Sequence, residues 1–260
     1  MKNNTIEELA KNVRIDVLKM INKAHSSHIG SAFSVVDILS VLYFNIIDKK
    51  NDKVILSKGH AGSALYATLA ECGYFDKEML NDYCMNGSCF SGHISSKNIP
   101  GVEFATGSLG HGLPVACGIA YTKKLKELEG KIYVILGDGE CQEGTTWESL
   151  LFASQHHLDN LIIVIDKNNM QAFGNVNEIL SLNDLSNKFK AFNCCVKEVD
   201  GHNFNELNNA FKDVSNEMPN CIIANTIKGK GVSYMENKLE WHYRTPTNEL
   251  FDKAMEELDK

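Results

Sequence analysis

The sequence is short of the features that would send a chain to a membrane, to nucleic acid or out of the cell. No apolar run approaches the ~20 residues that cross a bilayer, and the first residues, MKNNTIEELAKNV, lack the apolar core of a secretory signal. Proline is scarce, four in 260 residues, and there are no Pro-rich linkers, internal repeats or low-complexity tracts. A chain of this length buries a large core, and a single α/β domain over residues 1–260 is expected. Basic residues number 26 against 33 acidic ones, a net charge of −7, and the lysines are scattered. That pattern points to no nucleic-acid and no membrane partner, and the expected location is cytoplasmic.

Metal and nucleotide signatures are also missing. The eight cysteines show no C-x-x-C spacing and several lie in apolar patterns, so they are expected to be small buried hydrophobes without disulfides or zinc. Cys141 stands in a loop where oxidation would matter, but ordinary packing is its expected role. There is no G-x-x-x-x-G-K-[ST], and Gly137-Asp138-Gly139 lacks the third glycine of a dinucleotide fingerprint.

What is present centres on residues 132–170. Ile132 to Leu136 reads as a buried strand that stops at Gly137-Asp138-Gly139, where glycines permit a turn and close backbone approach. A helix is predicted over Glu143–His157, followed by a second buried strand, Leu161–Ile165, ending at Asp166-Lys167-Asn168-Asn169. The handedness of such crossovers makes the strands parallel, so Asp138 and Asn168 leave the sheet on one edge. A carboxylate and an amide oxygen there suit a hard cation. Magnesium keeps few protein ligands and completes its octahedron with water and phosphate oxygens, so the pair implies a phosphorylated cofactor.

A GDG triplet, about thirty residues and an NN pair after an apolar strand resemble the signature of thiamine-diphosphate enzymes. The resemblance implies that Asp138, Asn168 and the carbonyl of Met170 hold magnesium, or another divalent cation such as calcium or manganese, against the diphosphate, with Gly139 beside it.

Along the chain, Thr5-Ile6-Glu7-Glu8 reads as a capping box opening a helix with Leu9, Val13, Val17 and Met20 on one face. It leads to His25-Ser26-Ser27-His28-Ile29-Gly30-Ser31, and a helix apolar nearly all round is predicted over Ser34–Ile47, buried in the domain or at a subunit interface. Further polar notches pair histidine with small residues: Ser57-Lys58-Gly59-His60 after the strand Val54–Leu56, Gly92-His93 in a loop, and Gly107-Ser108-Leu109-Gly110-His111-Gly112. The last opens a helix expected to end near Gly130, and its first amides read as an anion site. Later come helices at 184–192 and 204–214, strands at 195–199 and 221–226, and an amphipathic terminal helix. His202, in a D-G turn, reads as structural, and His156 and His157 as caps of a helix C-terminus.

The blocks AHSSHIGSAFSVVDILSVLYF, DKVILSKGHAGSALYATLAECGYF, GHISSKNIPGVEFATGSLGHG and IKGKGVSYMENKLEWHYRTP resemble transketolases, in transketolase order. The resemblance implies a parallel sheet flanked by helices that binds the diphosphate of thiamine diphosphate. It implies that His28, His60, His93 and His242 are active-site histidines, His60 and His242 also touching cofactor, and that His28, Ser31, Lys58 and His93 face the sugar. Gly107 and Leu109 match backbone contacts to the thiamine, Glu143 a residue linking the two cofactor sites of a dimer, and Lys228 a basic residue near the substrate or diphosphate. His25 and His111 have no assigned role, and many relatives carry glutamine at the position of His111.

Full-length transketolases add a pyrimidine-binding domain and a third domain, whereas the family's split form carries these on a second polypeptide. The resemblance therefore implies an N-terminal subunit that joins a C-terminal subunit, as a heterotetramer, to move a two-carbon ketol unit between sugar phosphates. The alternatives are the corresponding subunit of a 2-oxo acid dehydrogenase or a deoxyxylulose-phosphate synthase type enzyme, or a non-catalytic scaffold of the same fold.

Overall fold

The computed structural model describes residues 5–260. Five strands form one parallel sheet: β1 (Lys53–Leu56), β2 (Ile132–Gly137), β3 (Leu161–Lys167), β4 (Cys195–Asp200) and β5 (Asn220–Asn225), in the order β1-β2-β3-β5-β4. Strands such as Leu161-Ile162-Ile163-Val164-Ile165 are continuous in apolar residues because both faces of the sheet are covered. Val54, Tyr133, Ile162 and Ile222 enter one core while Ile55, Val134, Ile163 and Ile223 enter the other.

The first core is closed by α1 (Ile6–Ala24), α2 (Ile29–Val41), α3 (Gly62–Glu71), α8 (Phe204–Lys212) and α9 (Glu249–Leu258). The second is closed by α4 (Gly112–Leu125), α5 (Gly144–Gln155), the single turn α6 (Val176–Ile179) and α7 (Leu185–Ala191). The edge strand β4 is half exposed and carries Lys197 and Glu198, charges that discourage further pairing. α1 starts with the expected capping box: the Thr5 hydroxyl accepts from Glu8 N–H, and the Glu8 carboxylate accepts from Thr5 N–H.

Three expectations are corrected. α2 begins at Ile29, not Ser34, so the polar notch is the helix's own first turn; Gly30 is there because a Cβ would sit 3.2 Å from the Lys228 Cγ and 3.3 Å from the Trp241 carbonyl. With the π-helical turn that follows, Ile29–Ile46 is long and apolar enough to cross a membrane, but 83% of it is buried inside the protein. Its Ser34–Val41 portion is buried in the core of this chain, the first of the two expected placements. α4 ends at Leu125 instead of near Gly130, because Glu127 turns into the left-handed region (φ 51°). The eight cysteines are all free, and Cys141 is fully buried.

Because every strand points the same way, the segments after β1, β2, β3 and β5 leave along one sheet edge. They deliver Ser57-Lys58, Asp138, Asn168 and Thr226-Ile227-Lys228 to the same place, where ligands sit in open parallel sheets.

Candidate active site

Above that edge the four histidines converge. His28 is the N-terminal flanking residue of α2, held in the left-handed region (φ 73°), and its N–H donates to the His242 carbonyl at 2.9 Å. His60 stands on the 3-10 turn after β1 and His242 on the turn Leu239–His242. The His28 ring lies 5.4 Å from that of His60, 5.5 Å from His93 and 4.9 Å from His242. They face a cavity of about 290 Å³ that also takes in Ser31, Lys58, Gly107 and Leu109 on one side and Asp138, Gly139, Asn168 and Met170 on the other. All the expected site residues line it except Lys228 and Glu143.

His28, His60 and His242 are neutral bases in a cationic setting. Burial, then the charge of His93 and the two lysines, brings His28 down to about 4. Burial and Lys228 bring His242 down to about 3, and burial with Lys58 holds His60 well below the usual imidazole range. At neutral pH each can therefore accept a proton. The Lys228 ammonium donates to His242 Nδ1 at 3.0 Å, which leaves the ring proton of His242 on Nε2.

Below the histidines is an oxygen cluster. The Asp138 carboxylate accepts from the Gly139 N–H at 2.7 Å and the Asn169 N–H at 2.5 Å, the latter made possible by a left-handed Asn169 (φ 61°). Asn168 Oδ1 accepts from the Met170 N–H at 3.1 Å while its amide nitrogen donates to Ser34 Oγ at 3.3 Å. Lys228 Nζ donates to the carbonyls of Met170 (3.3 Å) and Gln171 (3.2 Å) from behind the cavity. Burial and the nearby charge of Asp166 raise the Asp138 carboxyl to about 6. Among the described residues no three His, Cys, Asp or Glu side chains group at metal-binding distance. A carboxylate, an amide oxygen and a backbone carbonyl fit a hard cation whose remaining positions go to phosphate and water.

Lys58, expected to face sugar, is fully buried and ion-paired to Asp166, with a further bond to the Ser31 carbonyl at 3.1 Å. Asp166 also accepts from Ser34 (2.6 Å) and Thr226. Lys58 therefore touches the cavity from its floor and is committed to holding α2 against the ends of β3 and β5. Glu143 is exposed at the start of α5, outside the cavity. Glu140, three residues earlier, is the buried acid of this loop and lines the cavity. Sequence reading missed Glu140, Asp166 as a lysine partner, and Phe173, 83% exposed at the rim. For Asp166 the available signal was an acid directly after five apolar strand residues.

The remaining histidines lie apart. His202 bridges Asp37 (2.7 Å) and the Ile227 N–H (2.8 Å), a structural role as expected. His156 packs on Tyr121 and Phe152 where α5 ends. His25 and His111 are exposed outside the cavity, His111 bonded to the Leu109 carbonyl.

Known proteins resemble this chain along its length. The family described as "Transketolase, thiamine diphosphate binding domain" matches residues 5–250. An apulose-4-phosphate transketolase subunit from Phocaeicola vulgatus is 36% identical over 270 residues, covering 100% of this chain and 96% of its own. The 6-deoxy-6-sulfo-D-fructose transketolase subunit SqwG of a Clostridium species is 38% identical, covering 98% and 96%. A solved transketolase from Campylobacter jejuni superposes with a TM-score of 0.89 at 32% identity, over 98% of this chain and 42% of that one. This chain belongs to the transketolase family, of which it comprises the thiamine diphosphate binding domain.

Proposed function

We propose that the chain is the N-terminal subunit of a two-chain transketolase that moves a two-carbon ketol unit from a ketose phosphate to an aldose phosphate. One observation carries the reading: four histidines, three of them held neutral, face the same cavity as the Asp138–Asn168–Met170 oxygen cluster. Thiamine diphosphate, when bound, supplies the electron sink for cleaving a C–C bond beside a carbonyl. Asp138, Asn168 and the Met170 carbonyl would hold magnesium against its diphosphate. The protein's other task is proton traffic at sugar hydroxyls. Neutral imidazoles suit it, and a group of this kind contributes ~10²–10⁴-fold to rate. The Nε2–H of His242 is a ready donor, the His28 ring stands 4.9 Å from the His242 ring, and His93 lies 5.5 Å beyond His28.

The naming of both relatives as transketolase subunits supports a partner chain, and we propose a heterotetramer with a C-terminal subunit that grips the aminopyrimidine, as closed symmetry favours. The free cysteines suit the reducing cytoplasm, where we place it. The test is to purify this chain alone and with the partner, adding thiamine diphosphate and magnesium. Ketol transfer is expected only in the mixture, and full turnover by the isolated chain refutes the two-chain reading.

A further inference from the structure

The glycine-rich loop 107–112 reads in sequence as an anion site at the start of α4. In the structure two of its amides are already taken by groups of the protein itself, one by a carboxylate and one by a hydroxyl bonded to that carboxylate. The Gly110 N–H donates to Glu140 Oε1 at 2.9 Å, and the Gly112 N–H donates to Ser57 Oγ at 3.1 Å. The Ser57 hydroxyl in turn donates to the same Glu140 oxygen, and the second oxygen, Oε2, accepts from the Gly137 N–H at 3.2 Å. One carboxylate, 2% exposed, thus ties together the end of β1, the end of β2 and the loop before α4.

The glycines are the clearance for this clamp. A Cβ on Gly112 would lie 2.4 Å from Ser57 Oγ, and Gly110 sits at φ 80° with the Thr145 hydroxyl donating to its carbonyl at 2.7 Å. A carboxylate at a helix start is favoured by the helix dipole, which offsets part of its burial. Glu140 accepts three hydrogen bonds, from the Ser57 hydroxyl and the Gly110 and Gly137 amides.

We infer that Glu140, acting with Ser57, is a positioning residue for the cofactor: it holds the loop that brings Gly107 and Leu109 to the cavity wall, independently of the diphosphate anchor proposed at Asp138. The inference rests on the proposed function. Replacing the acid by glutamine sets an NH₂ against a donor and leaves one buried N–H or O–H without its acceptor.

The experiment uses the complex of both chains and measures binding by calorimetry at saturating magnesium, with thiamine diphosphate and with inorganic pyrophosphate, which reports the diphosphate anchor alone. Glu140→Gln is expected to weaken thiamine diphosphate about tenfold or more while pyrophosphate stays within about twofold, and Ser57→Ala is expected to show the same split with a smaller loss. If Glu140→Gln does not assemble, Ser57→Ala decides. Unchanged thiamine diphosphate affinity, or equal losses for both ligands, overturns the positioning role. A wild-type complex that binds no thiamine diphosphate overturns the proposed function and this inference with it.

Discussion

Lys228 Nζ stands 3.0 Å from Nδ1 of His242, and both side chains are buried. Burial and the charge of Lys58 bring the ammonium down to about 8, so it is charged at neutral pH and loses its proton only above that value. Once neutral, it no longer enforces the His242 tautomer that carries the proton on Nε2. Turnover of the two-chain enzyme is therefore expected to fall above pH ~8, and Lys228→Met is expected to lower kcat ~10-fold or more and to abolish that alkaline limb. An unaltered alkaline limb in the variant detaches the pH dependence from Lys228.

The proposed role of Asp138 as a magnesium ligand makes cofactor binding depend on pH. With its carboxyl raised to about 6, the cation-binding form is complete above pH 7 and is lost below 6, where magnesium-dependent affinity should drop roughly tenfold per pH unit. In the unliganded chain the sign reverses: a raised carboxyl contributes stability below the ordinary value of 3.8 and loses it as pH rises through about 6. Asp138→Asn should abolish magnesium-dependent binding with the fold intact. Calorimetry at pH 5 to 8, with circular dichroism of the variant, checks both statements; wild-type affinity in Asp138→Asn removes it as a ligand.

His93 reaches the cavity from a loop and lies 5.5 Å from the His28 ring. His93→Ala is expected to leave the thiamine diphosphate Kd unchanged and to cut kcat by ~10²-fold. Equal kcat in the variant would make His93 a loop residue and no more.

The Lys58–Asp166 pair joins β1's exit to β3's with both side chains essentially unexposed. Asp166→Ala strands a buried ammonium and should cost ~3–5 kcal/mol of stability, while Lys58→Met with Asp166→Leu should recover most of it. Chemical denaturation of the three proteins measures this, and a loss below ~1 kcal/mol for Asp166→Ala would show the charge to be solvated.

The strand–helix–strand unit and its Asp138 and Asn168 exits were legible in the sequence because strand burial, glycine turns and parallel crossovers are local or follow from short-range chain geometry. The histidine notches were legible as motifs but not as one site: His28 and His242 are distant in sequence and meet because α2 and the turn Leu239–His242 share a backbone hydrogen bond.

Charge partnership lay beyond the sequence. Lys58 and Asp166 are 108 positions apart, and only the adjacency of β1, β2 and β3 turns a lysine beside a sugar motif into a buried pair. The same holds for Glu140 and Glu143, indistinguishable as letters in one loop. The 3-10 turn Gly139–Gln142 directs the first toward Ser57 and Gly110 and leaves the second outside at the start of α5. Composition and periodicity determined that the chain builds a two-sided parallel sheet with oxygen ligands at one edge. Which charges face the cavity and which are spent holding it together depends on contacts between distant segments, where burial forces each polar group to find a partner, and only the tertiary structure decides that.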